Sequence, residues 1–401
     1  MALISDSSLM KSYFWNSLSS DSREINHKLV FIVFVFVFLT TFPKYVELFS
    51  DPNLAKTYSY YYKKIADPLQ PTNDLSTDTH GSKVVFRLTV PLIGKSLGLD
   101  VEKSGSNMMW LYIIQSALLY PFIYMLLHIC LRFADQIGAW VFVWACSCTY
   151  LCKAFFWDYD FWFDGYAYFF ILSAIYFRNP VLIFIALQLA FWTDERALIA
   201  LPGIVLFHLL QLNQFDIPDQ NSRLIKQLLK PQIYVCILAI IAYGIARMLL
   251  AVQFNLHTPL GKNEGVSPAL IPYQMENRFL GVFLSFEGLW ILFFCALYIV
   301  SRRSNLIFLA SLGIIILQII VAYSVYDITR SLIYAFPMML VSFVIYFKNK
   351  CSLQGDYLPI ACILCVFIPT HYLIFMPQQI PMTVFSIPHL LESLQRAVWF
   401  N

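Results

Sequence analysis

Charge is scarce in this chain. Of its 401 residues only 13% are Asp, Glu, Lys or Arg, against 59% hydrophobic, and the mean hydropathy is +0.66. A water-soluble chain of this length carries roughly one-quarter charged residues, so that class is excluded. Basic tracts are missing too, and a net charge of only +3 gives nucleic acid nothing to hold. No Walker A, GxGxxG or HExxH segment occurs, which removes the P-loop ATPase, the Rossmann enzyme and the zincin. The nine cysteines lie almost all in apolar stretches (Cys130, Cys146, Cys148, Cys236, Cys295, Cys362, Cys365), and no CxxC pair finds a second pair elsewhere. Inert buried thiols are the expected reading, not a disulfide framework.

What remains is apolar and aromatic, with 36 Phe, 24 Tyr and 9 Trp. Aromatic residues gather in bilayers and at their edges. A bilayer core takes about 20 apolar residues per helix. The chain then reads as an all-α, polytopic transmembrane helix bundle of about eleven spans: 28–43, 109–132, 137–153, 165–178, 180–192, 197–213, 232–252, 280–300, 305–325, 330–347 and 357–375. Residues 1–27 form a polar N-terminal tail with no signal-peptide pattern, and 376–401 form a C-terminal tail at the interface. Arg132, Arg178, Arg223, Lys226, Lys230, Arg302, Arg303, Lys348 and Lys350 outnumber the basic residues of the opposing short loops, which places the N-terminus in the cytoplasm.

Two outer loops stand out. The first, 44–108, is long, and it carries two stretches that read as interfacial helices. One is Asn53–Ile65, rich in tyrosine. The other is Lys83–Leu99, with Val84, Leu88, Leu92 and Leu97 set against Lys83, Arg87 and Lys95. A Pro/Asp/Thr-rich loop, Pro68–Gly81, separates them. The second outer loop is 253–279.

The few charges cluster where apolar runs meet water on this one side. Glu47 and Asp51 follow the first span. Asp158, Asp160 and Asp164 lie among Trp157, Phe161, Trp162 and Phe163; Asp194, Glu195 and Arg196 open the sixth span; Asp327 and Arg330 sit between the ninth and tenth. Ionisable groups at such depth are costly and usually functional. Plainer readings exist for each: Asp164 and Asp194 as helix N-caps, the aromatics as an interfacial belt, Asp327 with Arg330 as an i,i+3 ion pair. Asp160 and Asp164, four apart, share a face if both are helical. Arg247 lies inside the seventh span and is expected to have a partner, either an outer acid or a lipid phosphate, unless it snorkels to the interface. Guanidinium groups grip phosphate in a bidentate fork, which makes Arg330, Arg196, Arg247 and Arg87 candidates for that task.

A first span, a long outer loop with interfacial helices and membrane-proximal acids together resemble the GT-C superfamily of integral membrane glycosyltransferases, mainly over 28–200. The resemblance implies transfer of sugar from a polyprenyl-phosphate donor to a glycan, lipid or protein acceptor. It implies the outer face of a bacterial inner membrane, or the lumenal face of the ER membrane, with membrane lipids as surroundings. By that resemblance Asp51 or Glu47 is the expected catalytic base, with Asp160 as a further catalytic carboxylate. The four arginines would hold the donor phosphate. Asp158, Asp160, Asp164, Asp194, Glu195, Asp327 and His80 would bind sugar or metal, with Mg²⁺ or Mn²⁺ the expected cation if one is used. A transporter or flippase of a lipid-linked sugar, a polysaccharide polymerase or ligase, and a structural subunit are the competing readings.

Overall fold

The computed structural model describes residues 27–51, 59–70, 84–99, 108–215, 217, 227–257, 267–349, 353, 355–374 and 376–399. Within them the chain is mostly helical. The helices are α1 (His27–Leu39), α2 (Tyr45–Ser50), α3 (Ser59–Ala66), α4 (Thr89–Ser96), α5 (Met109–Leu131), α6 (Gln136–Cys148), α7 (Tyr150–Trp157), α8 (Asp164–Tyr176), α9 (Pro180–Phe191) and α10 (Ala197–Leu212). After these come α11 (Pro231–Phe254), α12 (Ile271–Arg278), α13 (Leu280–Phe286), α14 (Leu289–Ser301), α15 (Asn305–Tyr323), α16 (Ile328–Ile333), α17 (Phe336–Asn349) and α18 (Leu358–Phe367). A two-stranded antiparallel hairpin, β1 (His371–Leu373) and β2 (Pro377–Gln379), and a last helix, α19 (Ile387–Trp399), complete the chain.

Three helices, α5, α11 and α15, are long and apolar enough to cross a membrane, and two bent pairs raise the number to five. Five shorter apolar helices of 10–17 residues lie beside them. Two of the expected continuous spans are broken. The run 137–153 bends by 48° between α6 and α7, where Thr149 turns extended and its hydroxyl donates to the Cys146 carbonyl at 2.8 Å. The run 280–300 bends by 94° between α13 and α14. There Glu287 takes φ 49, and Gly288 leaves room for α18: a Cβ on it would meet the Ala361 carbonyl oxygen at 2.0 Å. Only glycine allows α14 and α18 to come so close.

One extended apolar core holds α5 to α10 against α13 to α18, with Phe122, Tyr168, Phe207, Phe286 and Tyr346 among its buried side chains. α11 and α15 lie on the outside; on α11, Met248, Leu249 and Val252 are largely exposed. Such faces need hydrocarbon around them.

The first outer loop is less regular than its sequence pattern suggests. Among the described residues its helices are the short α2, α3 and α4. Leu92 and Leu97 face out while Val84 and Leu88 face in, so the expected single apolar face is not formed. Buried Lys64 ties the two pieces together by donating to the carbonyls of Pro68 and Val85. Burial pushes its ammonium down to about 8. His80, Lys83 and most of Pro68–Gly81 lie outside the described residues.

Candidate functional site

The loop between α7 and α8 is built around one carboxylate. Asp158 is fully buried and accepts the backbone N–H groups of Phe163 at 2.5 Å, Asp160 at 3.2 Å and Trp162 at 3.3 Å, with the Gln115 amide at 3.4 Å. These bonds hold Phe161 and Phe163 at φ 53 and 54. A left-handed backbone at two bulky residues costs of order 1–2 kcal/mol each and persists only where its surroundings over-determine it. Burial and the nearby Asp164 carboxylate push Asp158 up to about 7, against the pull of Arg330 and of the N–H donors. The loop is also clamped from the first outer loop, where Tyr61 stacks on Phe161 at 4.5 Å, and from α5, where the Tyr112 hydroxyl accepts the Phe161 N–H at 2.8 Å.

With the loop so held, Asp164 is not a cap. It is the first residue of α8, and its carboxylate receives Arg330 in a fork, Nε at 2.6 Å and Nη2 at 3.2 Å. Tyr334 donates its hydroxyl to the same group at 3.4 Å. Asp160 lies in the loop before the helix, so it does not share a helix face with Asp164; its carboxylate, half-buried, accepts the Trp162 indole N–H at 3.1 Å. The expected Asp327–Arg330 pair is present, Nη1 to Oδ2 at 2.7 Å, and the Arg330 guanidinium lies 4.1 Å from the Trp162 ring centre.

A second fork stands beside the first. Arg196 grips Asp194 through Nε at 2.9 Å and Nη2 at 2.6 Å, and its backbone N–H also donates to Asp194. Asp194 therefore caps nothing in the ordinary sense; the helix that follows, α10, begins at Ala197. Arg196 Nη1 donates to Ser331 at 3.2 Å, and its Nη2 lies 3.8 Å from Asp164. Burial pushes Asp194 up, but Arg196 and Arg87 outweigh it and hold the carboxyl well below its usual range.

Arg87 arrives from the first outer loop. Thr89 fixes it there, its N–H on the Trp192 carbonyl at 3.0 Å and its hydroxyl on the Leu189 carbonyl at 2.8 Å. Arg87 Nη2 reaches Asp194 at 3.1 Å. Its Nε is buried and has no hydrogen-bond partner among the described residues. An orphaned buried donor costs roughly 1–3 kcal/mol unless something occupies it. Between α4 and α9, starting at the residue after Arg87, opens a mostly apolar cavity of about 370 Å³ lined by Leu88, Leu92, Ile93, Leu189 and Trp192 together with Thr89, Ser96 and Gln188.

Arg87, Asp164, Asp194, Arg196, Asp327 and Arg330, distant in sequence, thus form one network, with Asp158 and Asp160 at its edge. Glu195 is half-buried next to it. Other expected residues have partners of their own. Glu47 is engaged by Lys44 and by His389 of α19 at 2.9 Å. Burial raises its proton affinity, and these two partners bring it below the ordinary value. Asp51 ends α2. Arg247 lies over the Phe86 ring at 4.2 Å and donates to the Tyr243 hydroxyl at 2.7 Å.

Among the described residues no group of three or more His, Cys, Asp or Glu side chains is placed to hold a metal ion; Asp158 faces backbone N–H groups and Asp164 faces guanidinium. The eight described cysteines are free thiols. Sequence reasoning missed Ser331, which receives Arg196, and Tyr334, which donates to Asp164. It also missed Trp162 as a platform, and Lys153 and Glu287 as buried charged side chains. It passed over Gly94-Lys95-Ser96-Leu97-Gly98, which has the letters of a nucleophile elbow. Ser96 ends a helix and donates to the Ile93 carbonyl, with no strand before it, so the strand–turn–helix context of that motif is absent there. The chain matches no protein-family model, no curated protein and no solved structure.

Proposed function

We propose that this chain is a membrane glycosyltransferase that uses a polyprenyl-phosphate-type sugar donor. The observation that carries the reading is the orphaned Arg87 Nε, one residue before Leu88, where the lining of the apolar cavity begins. A guanidinium donor beside a hydrocarbon-lined groove suits a phosphate attached to a lipid chain. The forks of Arg196 and Arg330 are already filled by carboxylates, so their part is to hold Asp194 and Asp164 and to set the local field. Arg87 is the group with a donor to offer.

In this reading the acceptor hydroxyl loses its proton to a carboxylate as its oxygen attacks the anomeric carbon. The bond from that carbon to the phosphate oxygen breaks, and the lipid phosphate leaves with the electron pair toward Arg87. A single displacement inverts the anomeric centre. Asp160, half-buried at the edge of the network, suits the base better than Glu47, whose proton affinity is lowered. Asp51 remains the alternative. A positioned base contributes about 10²–10⁴-fold, and stabilising the leaving phosphate often contributes more.

The purified protein incubated with a panel of polyprenyl-phosphate sugars should release free lipid phosphate. Asp160→Asn should slow release by about 10²-fold or more, and Arg87→Gln should raise KM for the donor. Release unaltered in Asp160→Asn and lost in Asp51→Asn would move the base to the first loop. Donor that is bound but never cleaved would favour a lipid-sugar transporter.

A further inference from the structure

The helix that carries Asp164 at its start ends in a different environment. α8 runs to Tyr176, and Arg178 follows, about 20 Å along the axis from Asp164. There Arg132, just past the end of α5, lies over the Tyr176 ring at 5.3 Å and donates Nη2 to His128 Nδ1 at 3.1 Å. The His128 ring stacks on Tyr124 at 6.3 Å and meets Tyr176 at 5.3 Å. His27, opening α1, stacks on Tyr124 at 5.4 Å and bonds the Tyr120 hydroxyl at 2.9 Å. Tyr120, Tyr124, His128 and Arg132 succeed one another every fourth residue, one stripe down one helix.

This end differs from the other in its charge balance. Each arginine of the Asp164 network has an aspartate. Among the described residues no carboxylate stands within ion-pair distance of Arg132 or Arg178. Arg132 is half-buried, and the exposed Arg178 lies close enough for the like charges to act on each other. Two neighbouring cations, one of them half-buried, repel each other unless an anion joins them. The surface beyond is apolar: Val181 and Ile185 of α9 are 63% and 47% exposed. A ligand that satisfies both features carries a phosphate on hydrocarbon.

We propose that Arg132 and Arg178, with the Tyr124–His128–Tyr176 wall, form a binding site for the phosphate of an anionic phospholipid in the leaflet opposite the Asp164 network. Its two guanidiniums grip the phosphodiester, the aromatic wall excludes water, and the acyl chains lie against α9. The site is separate from the proposed transfer centre and does not rest on that reading.

Native mass spectrometry of the full chain tests this, with phosphatidylglycerol and phosphatidylcholine offered in equal amounts. The expected result is one phosphatidylglycerol retained about tenfold or more in preference, as two charge-assisted hydrogen bonds allow. Arg132→Gln and Arg178→Gln should each abolish the preference, while Arg302→Gln with Arg303→Gln, a basic pair elsewhere, should leave it intact. Arg178 is exposed, so its variant should fold even if Arg132→Gln does not. Equal retention of the two lipids overturns the proposal. So does loss of the preference with inorganic phosphate, which would assign the site to the free anion.

Discussion

Arg330 is the side chain on which the most other groups depend. It meets Asp164 in a fork, Asp327 through a third nitrogen and Trp162 through its face. Arg330 and Asp164 are 2% and 0% exposed. Removing one partner from a buried pair leaves an uncompensated charge, at a cost of about 3–5 kcal/mol. Arg330→Gln is therefore expected to lower the unfolding temperature sharply. Pairing it with Asp164→Asn should cost clearly less than the sum of the two single changes, read as a double-mutant cycle in thermal unfolding. Additive losses would mean the fork contributes little. The sequence carried part of this: Asp327 and Arg330, three apart, announce their own pair. It could not announce Asp164, because a contact across 166 positions leaves no local pattern. Nor could it show that Trp162 is a platform, since a tryptophan at a helix end reads equally well as an interfacial anchor.

Apolar runs reveal that helices exist, not where they break. The stretch 280–300 has one acid in a hydrophobic sequence, and its average hydropathy is blind to the φ of 49 that Glu287 adopts there. Asp160 and Asp164 have helical spacing, yet two left-handed phenylalanines stand between them and break the period. Helix in the first outer loop was legible in its two patterned stretches, where α3 and α4 form. Its important feature was not: α4 lies against α9 so that a cavity opens between them, pinned by Thr89. That pairing makes a prediction at the same scale. Leu92→Trp, on the α4 wall of the cavity, fills it with a large ring while leaving Arg87 and Asp194 untouched. Donor affinity should fall by about tenfold or more, with the unfolding temperature little changed. Unaltered donor affinity in that variant would separate the cavity from the lipid chain.

Across the whole molecule, charge is sorted to two ends. One end holds the carboxylates with their arginines, the first outer loop and α19; the other holds Arg132 and Arg178 without acids in ion-pair reach among the described residues. The bias of basic residues predicts which end faces the cytoplasm, and the helices long enough to cross a membrane support a membrane protein. The number of full crossings is the coarser part, because several of the expected spans are short or bent in the structure. Sidedness can be read by cysteine labelling of intact cells with an impermeant maleimide. Phe385→Cys, 82% exposed beside α19, should gain label over the parent protein; Ile137→Cys, 78% exposed near Arg132, should gain label only after the cells are opened. The reverse pattern would invert the orientation.

The C-terminal segment closes on the beginning of the chain. The Phe42 N–H donates to the Pro381 carbonyl, Thr383 donates to the Thr41 carbonyl, and His389 meets Glu47, the last two across 342 positions. During translation 342 positions separate the two partners in each of these last contacts. Through that whole interval the nascent protein carries its first helix and the loop after it with this flank uncovered, and the flank closes only once the later stretch has been made.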